Sequence, residues 1–81
     1  MTDTERVVLA IERRFANAPA DGRKEAAASA ELGLTPTRYA QLLNRLLDDQ
    51  GALEAEPVLV NRLRRLRASR QRTRSVRRAG V

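Results

Sequence analysis

The stretch "ELGLTPTRYAQLLNRLL", residues 31–47, decides how this chain is to be folded. Gly33 interrupts one helical pattern, and two residues later Thr35 and Pro36 begin another. Threonine is a favoured N-cap, and proline suits a first helical position because the N–H it lacks would be unpaired there anyway. From Pro36 on, Tyr39, Leu42, Leu43, Leu46 and Leu47 recur at helical spacing, as a buried stripe does. Thr37, Arg38, Gln41 and Arg45 fall on the opposite side. A small residue on the preceding helix (Ala28 or Ser29), the turn glycine Gly33 and the apolar plug Leu34 complete a helix-turn-helix pattern. In that motif the second helix offers its first turn to the major groove of a duplex. The pattern is degenerate, because many two-helix turns contain a glycine.

Working outward, Thr2 and Glu5 are spaced as a capping box for a helix over about residues 4–17. Val8, Ile11 and Phe15 recur along it, with Glu12 and Arg13 off that face. "NAPADG", residues 17–22, breaks the pattern with Pro19 and Gly22. Asp21 is the expected cap of a second, alanine-rich helix over about 22–32, whose thin buried face is Ala28 and Leu32. The third helix is expected over 36–49, ended by Gly51, followed by a connection, "GALEAE", from which Leu53 tucks back. Pro57 starts a fourth helix with the apolar edge Leu59, Leu63 and Leu66. The expected fold class is all-α: a small helix-turn-helix domain of three to four helices over residues 1–66, then an arginine-rich extension, residues 67–81. From Arg67 onward only Val76 and the terminal Val81 are large and apolar. That extension is expected to fray by itself and to become helical against a polyanion.

Eighty-one residues make one small domain. Cysteine and histidine are both absent from the sequence, which removes disulfides, thiolate metal sites, the commonest zinc ligand and the commonest general base. No nucleophile–base pair can be assembled, so neither enzyme, cofactor, metal site nor small-molecule substrate is expected. There is no apolar run of membrane-spanning length, and "MTDTERVVLAIERRF" lacks a basic start and a cleavage site. The expectation is a cytoplasmic protein without a membrane partner. Nothing in the sequence sets an oligomeric state.

The charge is lopsided. Residues 1–56 hold seven basic and ten acidic side chains, a net of −3, whereas residues 57–81 hold nine arginines and no acid. A near-neutral body with a basic tail points to a polyanionic partner. Fifteen arginines stand against one lysine, which suits forked contacts to phosphate and guanine. A GC-rich genome would raise arginine and alanine too.

Roles then attach to single residues. Arg38 has the fork for guanine O6 and N7, and Gln41 the amide for adenine N6 and N7. Thr35 and Thr37 hydroxyls, with the helix N-terminal amides, suit a phosphate or, for Thr37, a base edge. The competing reading is that these are ordinary solvated side chains, favoured for Arg45, which has Asp48 or Asp49 within reach along its own helix. Tyr39 is core, or core with a hydroxyl at the rim that meets a phosphate. Arg62, Arg64, Arg65, Arg67, Arg70, Arg72 and Arg74 are candidate phosphate clamps. Two other functions stay open: an RNA-binding or ribosome-associated protein, and an interaction module docking on an acidic partner of the transcription machinery.

Residues 34–71, "LTPTRYAQLLNRLLDDQGALEAEPVLVNRLRRLRASRQ", also resemble a known family. They are similar to the small actinobacterial GATC-binding nucleoid-associated proteins, formerly described as a domain of unknown function. The shared marks are the triplet Thr37-Arg38-Tyr39, the Gln41–Asn44 helix with its leucines, Pro57-Val58-Leu59-Val60 and the Arg62-to-Arg70 run; weaker similarity covers about residues 8–78. The resemblance implies a helix-turn-helix that binds double-stranded DNA at GATC-containing sites through that triplet, in transcription regulation and chromosome organisation at the nucleoid. The chain departs from the family at Arg14-Phe15, where a tryptophan pair is common, and at Ala40, where a second aromatic is common.

Overall fold

The structure is a computed structural model that describes residues 1–79, with the side chains of residues 1–73. It is all-α, with helices α1 (Asp3–Arg14), α2 (Arg23–Leu32), α3 (Pro36–Leu47), α4 (Gln50–Ala55) and α5 (Pro57–Ala79). No helix among the described residues is long and apolar enough to cross a membrane.

The helix starts follow from local chemistry. Thr2 and Glu5 form the reciprocal capping box of α1, and Glu5 carries a lowered pKa because its carboxylate accepts the Thr2 backbone N–H. Thr35 caps α3 by accepting the Arg38 N–H at 3.1 Å, with Pro36 at the first position. Gly33 ends α2 in the left-handed region, φ +67°, and its N–H donates to the Ser29 carbonyl. At α2 the capping residue is Gly22 at φ +90°, not Asp21. Asp21 still accepts the Arg23 N–H and pairs with the Arg23 guanidinium, which holds its carboxyl below the usual range.

The third boundary differs from expectation. α3 stops at Leu47, and Gly51 lies inside a further short helix, α4, that the sequence pattern did not announce. The reason is the acid pair Asp48-Asp49: Asp48 is the C-cap of α3, and the Asp49 carboxylate caps α4 by accepting the Ala52 N–H. Leu53 packs on the core from α4, as expected of the connection. The extension also differs, because α5 continues unbroken through Arg67 to Ala79 instead of fraying. Arginine is a good helix former, and α5 is anchored by its own side chains, as described below.

The core is built from Val8, Leu9 and Ile11 of α1, Ala28 of α2, Tyr39, Leu46 and Leu47 of α3, Ala52 of α4, and Leu59 and Val60 of α5. Of the small-residue candidates facing α3, Ala28 is buried and Ser29 is exposed. Ala28 lets α2 come close, while Leu32 and Leu34 pack at the margin. On α5 the buried edge is Leu59 and Val60 with Leu63 beside them, and Leu66 stays 43% exposed. α1, α2 and α3 pack mutually, and α4 and α5 close the far side.

Candidate nucleic-acid interface

α3 has one face sealed and one face free. Its stripe of Tyr39, Leu46 and Leu47 is buried, with Leu42 and Leu43 half-buried against the same core. The opposite face carries Thr37, Arg38, Gln41 and Arg45, all exposed. Because the helix begins at Pro36, Thr37 and Arg38 occupy its first turn, where the unpaired backbone amides and the positive end of the helix dipole also lie. Arg38 reaches Gln41 Oε1 at 3.5 Å and has no carboxylate partner among the described residues. Its fork is therefore unoccupied by any acid. Thr35 spends an oxygen lone pair on the cap and keeps its hydroxyl proton to donate.

Arg45 does not pair with Asp48 or Asp49. It remains exposed, close enough to Glu5 to help lower that carboxyl's pKa slightly. Asp48 is taken by Arg67 instead, in a two-pronged contact of 2.9 and 3.4 Å. That pairing holds the Asp48 carboxyl below its usual range.

Tyr39 is where the structure departs most from a surface role. It is 4% exposed, and its hydroxyl donates to Glu12 Oε2 at 2.5 Å, with the Val8 carbonyl 3.5 Å away. Glu12, which the helical pattern put off the buried face, is itself 4% exposed and pairs with Lys24 Nζ at 3.3 Å. Burial, with the Glu12 carboxylate beside the phenol, pushes the Tyr39 pKa well above its ordinary value. In this conformation the Tyr39 hydroxyl is turned inward and engaged by Glu12. Sequence reasoning missed Glu12 and Lys24; the signal for them was the unmet need of Tyr39 for a hydroxyl partner.

The arginines of α5 divide into two sets. Arg62 donates to the Ala16 carbonyl at 2.7 Å and to Asn17 at 3.5 Å, just past the end of α1. Arg64 Nε donates to the Leu47 carbonyl at 2.5 Å, at the end of α3. Arg67 grips Asn44 Oδ1 at 2.9 Å as well as Asp48. Cations at helix C-termini satisfy orphan carbonyls and complement the dipole. These three, expected as phosphate clamps, are thus the anchors of α5. Arg65, Arg70 and Arg72 are exposed and have no hydrogen-bonding or ionic partner among the described residues. The Arg74 side chain lies outside the described residues.

Beside α3 a groove of about 590 Å³ runs between the 16–22 loop and α5, floored by Phe15, Ala40 and Leu43. Asp21 and Glu25 line it together with Arg62, Arg67 and Arg70, so it presents no single sign of charge. The outer face of α3 presents Thr37, Arg38, Gln41 and Arg45, and Arg65, Arg70 and Arg72 stand exposed on α5.

A family model described as "Protein of unknown function (DUF3263)" matches residues 1–75. No curated protein and no solved structure matches. The chain belongs to the DUF3263 family.

Proposed function

We propose that this DUF3263 member is a sequence-preferring, double-stranded DNA-binding protein of the nucleoid, a modulator of chromosome organisation and transcription. α3 enters the major groove and the outward arginines of α5 hold flanking phosphates. One observation carries the reading: Thr37, Arg38 and Gln41 stand exposed on the first turns of the second helix of a helix-turn-helix, while the opposite face is locked in the core. Arg38 supplies the forked donor that suits guanine O6 and N7, and its lack of a carboxylate partner means that no internal ion pair need be broken. Gln41 suits adenine, and Thr37 a thymine methyl or a phosphate. Arg45 extends the same face toward backbone phosphates. The resemblance to GATC-binding proteins adds a candidate site. RNA is the weaker partner for this arrangement, because the A-form major groove is too deep and narrow to admit a helix.

The test is a titration of the protein onto GATC-containing duplex, scrambled duplex and structured RNA at several salt concentrations. The expected result is a preference for the GATC duplex that Arg38→Ala reduces by about 1–3 kcal/mol, with little change on scrambled duplex. Equal loss on every duplex after Arg38→Ala, or tighter binding to RNA at matched salt, would refute the reading head.

A further inference from the structure

We infer that Glu12, Lys24 and Tyr39 form a polar lock that sets the register of α3, so that Glu12 and Tyr39 govern site preference without touching DNA. The inference rests on the DNA-reading role of α3. Glu12 of α1 is the one buried charged side chain among the described residues. It is held by the hydroxyl of α3 at 2.5 Å and by the ammonium of α2 at 3.3 Å. One carboxylate therefore ties together the three helices of the motif.

An aliphatic core alone would hold α3 less strictly. Val8, Leu9, Ile11 and Leu46 attract without direction, and such packing tolerates small slides and rotations. A buried carboxylate does not. Any movement that withdraws the tyrosine hydroxyl takes away its short hydrogen bond and leaves Lys24 as the remaining side-chain partner of a charge held out of water. Among the described residues every buried side-chain polar atom has a partner, so the lock is complete in this position. Tyr39 directly follows Thr37 and Arg38 in the chain. The rotation and axial position that seat its hydroxyl on Glu12 therefore also set how those two side chains project from the first turn.

A double-substitution cycle tests the lock: Glu12→Leu, Tyr39→Phe and both together, with Glu12→Gln as the conservative variant. Each is titrated at a temperature where it is folded, onto GATC and scrambled duplexes. Glu12→Leu is expected to lower the ratio of the two affinities about tenfold while leaving affinity for scrambled duplex unchanged. Glu12 is buried, so this loss cannot be that of a DNA contact. Tyr39→Phe should match it, and adding Tyr39→Phe to Glu12→Leu should remove nothing more, because the two act as one unit. Glu12→Gln keeps an acceptor for the hydroxyl and should hold the ratio within about twofold.

A Glu12→Leu protein with an unchanged ratio overturns the lock, as does a further loss when Tyr39→Phe is added, which would make Tyr39 a direct contact. If Glu12→Leu does not fold, Tyr39→Phe against Glu12→Gln carries the comparison, and equal ratios in those two overturn it. If the wild-type protein prefers no duplex, the reading role has failed and the lock is judged by residual dipolar couplings of the free protein. The α3–α1 orientation should then change or broaden in Glu12→Leu, and an unchanged orientation overturns the lock.

Discussion

At Gly33 the backbone sits at φ +67°, and a Cβ added there would meet nothing within 4 Å. Gly33→Ala is therefore expected to destabilise the fold by about 1 kcal/mol through backbone strain alone, read as a lower urea midpoint at unchanged slope. Arg38→Lys is the sharper probe of recognition. It keeps the charge and loses the fork, so affinity for scrambled duplex should hold while the preference for the read site falls. Equal retention of both would remove Arg38 as a base reader. The outward placement of Arg38 was legible because the leucine stripe on α3 leaves only one side for it. The partner of Tyr39 was not, because Glu12 lies on another helix and its own local pattern argued for solvent.

At the scale of the element, α5 is the informative case. Its sequence offers a charge run, and by composition every arginine in it is an equal candidate for phosphate. Folding separates them by direction: Arg62, Arg64 and Arg67 turn to the ends of α1 and α3, whereas Arg65, Arg70 and Arg72 turn to solvent. The Asp48–Arg67 tie makes this anchoring sensitive to acid. The Asp48 carboxyl is lowered in the folded protein, so its contribution is present above the unfolded value of about 4 and is lost as pH falls through the lower folded value. Urea midpoints measured below about pH 4 should fall more steeply in the wild-type protein than in Asp48→Asn. A parallel acid dependence in both would mean that the pair contributes nothing. α3 is expected to respond at its other end: Thr35→Ala removes the acceptor of the Arg38 N–H, costs about 1 kcal/mol and frays the turn that carries Thr37 and Arg38.

For the whole molecule, the division of arginines revises what salt should do. If the outward set and the reading helix neutralise roughly three to five phosphates, log K should fall with log salt at a slope of about −3 to −5. Neutralising Arg65, Arg70 and Arg72 together by substitution with glutamine should flatten it by roughly three. A chain cut after Ser69 keeps the Arg67 anchor, so its site preference should survive with a shallower slope. A chain cut after Leu66 loses Arg67, and its thermal midpoint should drop as well. Local chemistry in the sequence determined the all-α class, the caps at Thr2 and Thr35, the turn at Gly33 and the two-sided character of α3. Each depends on residues within about one helical turn of one another. Tertiary structure alone decided which cations are free, that Asp48 answers Arg67 and not Arg45, and that Glu12 is buried beneath Tyr39. Those are choices among partners distant in sequence, and only the packing of α1, α2, α3 and α5 brings the competing groups within hydrogen-bonding reach.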